Sequence, residues 1–242
     1  MTNVSRSAWI FISFVILCGL SALGYGLVQL HTQHQLPFLV LLVIALVTSR
    51  FKLKLPGLNG NMSVNLPFIL IAVAELSLFQ ALIIALASTV AQCFSKDSGR
   101  LKMVQMLFNG SCMAVAAGLA GFVFQGRIAL PAAWISGSVF LALAGATFFL
   151  VQTVPVATVI ALTEGRTMLA VWSGIVHLSF PYYVISAGVA SMAAAASHFL
   201  GWQVPLFMLP VMYGVYRSYR LYFGQAETAV RPSTFARAAA SC

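Results

Sequence analysis

Glu75 is the one carboxylate inside a long apolar run of this sequence. A charge at the centre of a bilayer costs about 2.5–3.5 kcal/mol on insertion scales, so such a residue is a candidate for ion, proton or ligand chemistry. The competing expectation is a hydrated carboxylate at an outer turn. Six neutral polar residues also lie in or beside apolar stretches: Asn65, Gln92, Gln105, Asn109, Gln152 and Thr153. They could line a polar pocket, or each could make an interhelical hydrogen bond, an interaction that averages about 0.6 kcal/mol. Asn109 and Gln152 lie deepest in their runs. Together with Glu75 they are the residues expected to touch a ligand.

Other chemistry finds less support. His31, His34 and His198 would share one side of a membrane, but no H-x-x-x-H pair or clearly placed carboxylate joins them, and no metal site is expected. His177 reads as structural. Cys18, Cys93, Cys112 and Cys242 lack CxxC spacing, and no disulfide is expected. P-loop, GxSxG, HExxH and dinucleotide fingerprints are missing. No catalytic residue and no cofactor are expected, so an enzyme is not supported.

The elements that must position these residues follow from composition. The 242 residues are 61% hydrophobic and 7% charged, whereas a soluble domain carries about 25% charged residues. A single soluble core of this size could not hide that much apolar surface. Lipid removes the difficulty. The expected fold is all-α: a polytopic transmembrane helical bundle of about eight spans over residues 1–224, followed by a disordered cytoplasmic tail, 225–242.

The expected spans begin with 8–30, long enough for a core about 30 Å thick and too long for a signal-peptide h-region. A second run is 36–49. Residues 50–54 and the turn-rich stretch 56–61 then read as a loop. Residues 62–94 form one apolar run too short for two full crossings. They are either two short helices with a turn near 75–80, or a re-entrant hairpin buried in protein. A fifth span covers 104–124. A sixth covers 134–154, meets Pro155 and continues, kinked, through 157–162. Residues 168–180 read as an interfacial helix, with Pro181 opening a seventh span to residue 200. An eighth, 204–216, runs into Arg217 and Arg220. Small-residue patches at Gly19/Ser21/Gly24, Ala114/Ala117/Gly118/Gly121, Ala142/Gly145/Ala146 and Ala187/Gly188/Ser191 indicate close helix packing.

Charge placement orients this series. The net charge of +9 would suggest nucleic acid in a soluble protein. Here the cations stand in small groups between apolar runs, and no nucleic-acid partner is expected. With the N-terminus inside, Arg6, Arg50, Lys52, Lys54, Lys96, Arg100, Lys102, Arg166, Arg217, Arg220, Arg231 and Arg237 all face the cytoplasm. Only Arg127 lies outside. That split is the positive-inside pattern and implies an even number of spans. The expected location is a bacterial cytoplasmic (inner) membrane with both termini inside.

The block Lys52-Leu53-Lys54-Leu55-Pro56-Gly57-Leu58-Asn59-Gly60, then Ser63 and the run from Pro67, resembles a loop-to-helix signature of certain bacterial signalling proteins. It belongs to the N-terminal multi-spanning membrane region of proteins with HD-GYP or GGDEF output domains. Leu107-Phe108-Asn109 is similar to the following span there. The segment 209–222, from Leu209-Pro210-Val211 to Arg220-Leu221-Tyr222, resembles the exit helix. The resemblance covers most of residues 37–223 and implies a sensory membrane module. No HD, GYP or GGDEF motif occurs in these 242 residues, so turnover of cyclic di-GMP does not carry over.

Two functional classes fit. One is a membrane sensory or ligand-binding module without a catalytic domain, embedded in the lipid bilayer, taking a small-molecule ligand and signalling to a cytoplasmic partner through the exit helix. Pro155 and Pro181 are its hinge candidates. The alternative is a small-molecule transporter or the substrate-binding subunit of an importer. A structural subunit of a larger membrane complex is a third.

Overall fold

The computed structural model describes residues 6–29, 35–54, 61–93, 103–125 and 137–239. Eight helices occur among them: α1 Arg6–Val28, α2 Gln35–Thr48, α3 Leu66–Glu75, α4 Leu78–Cys93, α5 Met103–Phe124, α6 Gly137–Glu164, α7 Met168–Leu200 and α8 Val204–Ala239. A 3₁₀ turn, Gly201–Gln203, joins α7 to α8. The loops carrying His31 and His34, Lys96 to Lys102, and Arg127 lie outside the described residues, as does the side chain of His198.

Four helices among the described residues are long and apolar enough to cross a membrane: α1, α5, α6 and the stretch Met168–Ser197 of α7. Helices α2, α3 and α4 are apolar but shorter. The faces they leave outward are apolar too, with Ile10, Phe14, Leu17 and Leu20 of α1 and Phe207 and Val211 of α8 exposed. Water would penalise that surface, whereas hydrocarbon does not. The chain is a membrane protein built as a helical bundle.

The run 62–94 resolves into two helices. Leu76 breaks them with an extended backbone (φ −114°, ψ 171°). Ser77 and Gln80 then close a reciprocal cap at the start of α4. The Ser77 N–H donates to Gln80 Oε1 (3.2 Å), and the Gln80 N–H donates to Ser77 Oγ (3.4 Å). That is the S-x-x-Q capping box, which satisfies N–H groups that the first helical turn leaves free. At its other end α3 starts with a proline in its first turn, where a missing N–H does no harm. Helix α3 is about 15 Å long and α4 about 24 Å, both below the roughly 30 Å of hydrocarbon. Every α3 residue from Leu66 to Val73 is buried. Protein, not lipid, surrounds it.

Around α3 the bundle mixes contacts between sequential helices with contacts between helices far apart in the chain. Helix α5 packs against α1, α4 and α6, while α6 packs along α7 and α7 covers α3. The core is Leu41 and Ile44 of α2, Phe68 to Leu70 of α3, Leu82 and Ile84 of α4, Ala114 and Ala117 of α5, Phe148 of α6, Tyr182 of α7 and Met212 of α8.

The architecture is all-α, as expected, and two local readings within it are corrected. First, residues 52–54, read as part of a loop, form a short strand. Lys52–Lys54 (β1) and Asn61–Ser63 (β2) pair antiparallel, with Lys52 opposite Ser63 and Lys54 opposite Asn61. The alternating Lys-Leu-Lys and Asn-Met-Ser segments have the period of a strand, and a Pro/Gly/Asn-rich link joins them. Second, 168–180 is no separate interfacial helix. It continues through Pro181 as one α7. A proline removes a single helical hydrogen bond, and packing along α6 holds the helix across it. Helix α8 runs from Val204 to Ala239. Helix α6 does continue past Pro155, as expected, to Glu164.

Candidate functional site

Buried hydroxyls in this bundle are satisfied locally. Thr48, Thr89, Thr153, Ser179 and Ser186 each donate to the carbonyl four residues earlier in their own helix, at 2.6–2.8 Å. A serine or threonine can always find that partner. A carboxamide offers two donors and an acceptor on a longer stem, and needs partners from elsewhere. Carboxamides therefore mark where the bundle has a polar interior.

Three of them meet at one cavity of about 150 Å³. Asn65 comes from the entry to α3, Gln92 from the last turn of α4 and Gln152 from the middle of α6. Ser63, Thr153, Ser179 and Tyr182 add hydroxyl-bearing side chains. Tyr183 brings a further phenol, and the remaining wall is apolar and includes Ile69, Met113 and Phe148. Among the described residues, no Asp, Glu, Lys, Arg or His lines it.

The three amides are in different states. Asn65 is held from both sides: Ser63 Oγ donates to its Oδ1 at 2.6 Å, and its Nδ2 donates to Ser88 Oγ at 2.9 Å. Gln92 Nε2 and Gln152 Oε1 are buried with no hydrogen-bond partner. A buried polar atom left unpaired costs about 1–3 kcal/mol. Two such atoms in one small cavity, one a donor and one an acceptor, are a feature that needs an occupant. The backbone beside Gln92 is fixed by the strand pair: Lys52 Nζ on β1 donates to the Gln92 carbonyl at 2.6 Å.

One wall of the cavity is also the contact to α8. Tyr182 is fully buried, and its hydroxyl donates to the Ser63 carbonyl on β2 at 3.1 Å. Its ring stands edge-on to Tyr219 of α8, with centroids 6.2 Å apart. Phe51 meets Tyr216 of α8 in a tilted contact at 5.2 Å and Tyr213 edge-on at 6.5 Å. The cavity, the strand pair and α8 thus share an aromatic seam. The prolines inside α6 and α7 lie at this level. Pro155 precedes the lining residue Val156, and Pro181 sits between the lining residues Ser179 and Tyr182.

Of the residues expected to contact a ligand, Gln152 lines the cavity and the other two do not. Asn109 sits one turn before the lining residue Met113 on α5, partly buried. Glu75 is exposed at the far end of α3, about 15 Å along the helix from Asn65. There it accepts a hydrogen bond from Ser197 Oγ of α7 at 2.8 Å. Among the six neutral polar residues, Asn65, Gln92, Gln152 and Thr153 converge, while Gln105 is exposed. Tyr182 was not singled out by sequence, because a tyrosine in an aromatic-rich span carries no local signal of its partners.

Fold and site together define an integral membrane helical bundle with a mixed polar and apolar cavity among its helices. The chain belongs to the MASE9 family of membrane-associated sensor domains, whose profile matches residues 5–222. That match runs from the start of α1 nearly to the last described side chain of α8. No curated protein and no solved structure matches the chain.

Proposed function

We propose that this bundle senses a small molecule in the Gln92–Gln152 cavity and reports occupancy through α8 to a cytoplasmic signalling partner. The observation that carries the reading is Tyr182, which is a wall of the cavity, a bond to the strand pair and a packing partner of α8 at once. Any change in what fills the cavity presses on this ring. Its neighbour Tyr219 lies toward the basic end of the exit segment, beside Arg217 and Arg220. A ligand shifts such an equilibrium only by its differential affinity for the two arrangements, and the unpaired amides supply groups for that difference.

Placing α8's far end in the cytoplasm rests on the cation distribution. The similarity of 209–222 to the exit helix of HD-GYP and GGDEF proteins supports an output on that side. Membership of a sensor family supports sensing over transport.

Hydrogen exchange of the full chain in lipid nanodiscs tests the coupling. Tyr182→Phe removes the bond to Ser63 and keeps the ring. Exchange over residues 213–223 is expected to rise about fivefold or more, the loss of roughly one hydrogen bond's stabilisation, with α1 unchanged. Unaltered exchange in α8 would refute the coupling. Accumulation of a solute by proteoliposomes, with α8 unresponsive, would replace sensing by transport.

A further inference from the structure

Gln92 Nε2 needs an acceptor and Gln152 Oε1 needs a donor. A ligand that only accepts, or only donates, leaves one of them buried and unpaired. The occupant therefore carries both functions. Charge narrows it further. Among the described residues the cavity is lined by no acidic or basic side chain, and the nearby Lys52 ammonium already donates to the Gln92 carbonyl. An ion entering would lose its hydration with no counter-charge in the wall. Size and surface narrow it again. About 150 Å³ holds a single six-membered ring. The aromatic wall of Phe148, Tyr182 and Tyr183 favours a flat ring over a cluster of waters.

We infer that the cavity binds a small neutral ring compound that carries both a hydrogen-bond acceptor and a donor, as a cyclic amide does. Its carbonyl accepts from Gln92 Nε2, and its N–H donates to Gln152 Oε1. Its ring lies among Phe148, Tyr182 and Tyr183. This assignment rests on the sensory reading for its purpose but not for its chemistry. Asn65 takes no part, since both ends of its amide are already held by Ser63 and Ser88.

Three probes of nearly equal size separate the alternatives: 2-pyridone (neutral, acceptor beside donor), benzene (no polar groups) and benzoate (anionic). Binding to the full chain in nanodiscs is followed by ligand-observed NMR titration. 2-Pyridone is expected to bind about tenfold tighter than either of the others, the worth of a well-made pair of hydrogen bonds. Gln92→Leu and Gln152→Leu should each abolish that preference. Both should unfold at or above the temperature of the unaltered chain, because each removes an unpaired buried atom. Equal binding of benzene, tighter binding of benzoate, no saturable binding of any probe, or a preference surviving both substitutions would overturn the assignment. Comparison of the probes on the unaltered chain decides the matter even if a variant fails to fold. Hydrogen exchange of α8 in the same samples keeps the two claims apart. Selective 2-pyridone binding with α8 unmoved upholds the ligand class and removes the sensory reading. An α8 that responds to Tyr182→Phe with no probe bound does the reverse.

Discussion

Asn65, Gln92 and Gln152 carry the same functional group into the same cavity and meet opposite fates. The difference lies in whether hydroxyls stand within reach. Ser63 and Ser88 clamp Asn65 on both sides of its amide. Replacing Asn65 by leucine takes the acceptor away from Ser63 and a donor away from Ser88. The expected cost is about 2 kcal/mol, read as a lowered unfolding midpoint in detergent, while Gln152→Leu leaves that midpoint level or raised. Equal losses for both would mean that the glutamine amides are also paired in the membrane. Sequence showed that amides stand within apolar runs. It did not show which of them converge, because that depends on the register between helices far apart in the chain, such as the entry to α3 and the middle of α6. Depth within a run was a partial guide: Gln152 lines the cavity and Asn109 lies one turn from it, while Glu75 is exposed and bonded to Ser197.

Helix boundaries were more legible than helix contacts. The break at Leu76–Ser77 announces itself as S-x-x-Q, and the lengths of α1 and α5 follow from hydropathy alone. The strand pair was overlooked because three-residue alternation is short beside a loop-like neighbourhood. Helix α7 was divided at Pro181 because a local rule was applied where tertiary packing overrides it. Small residues gave the right kind of contact and not the partner. A Cβ added at Gly19 of α1 would lie 2.5 Å from Ser111 Cβ and 2.6 Å from Ser111 Cα on α5. At Gly188 of α7 a Cβ would meet nothing within 4 Å. Gly19→Ala should therefore separate α1 from α5 and destabilise the protein by about 1–3 kcal/mol. Gly188→Ala should be neutral or slightly stabilising, as alanine is the better helix former. Thermal unfolding of the two variants side by side checks the pair, and similar values would contradict the α1–α5 approach.

For the whole molecule, the cations and the contacts agree on two ends. Lys52 meets the last turn of α4 at one, and Glu75 meets Ser197 near the close of α7 at the other. Arg166 follows α6 and pairs with Glu164 at 3.6 Å. In a chain whose four native cysteines are serine, single cysteines at Ser77 and Gln203 should react with an impermeant maleimide from outside the cell. Cysteines at Arg166 and Arg217 should react only in inverted vesicles. Labelling of Ser77→Cys and Arg217→Cys from the same side would break the orientation, and with it the placing of α8's far end. Composition made the membrane legible at once. The number of crossings was less so, because α2, α3 and α4 are each shorter than hydrocarbon demands and their depth depends on what surrounds them.

Pro155 and Pro181 have no N–H to offer Val151 and His177, so α6 and α7 each lack one rung of their ladder beside the cavity. The two walls are therefore most compliant where they border it. An occupant slightly too large is accommodated by tilting the outer halves of both helices rather than by breaking contacts throughout the core. A close-packed interior elsewhere does not yield in that way. Under the proposed sensing role, contents would be registered as an angle and not as a volume, with the stiffness of two missing rungs setting how far that angle moves.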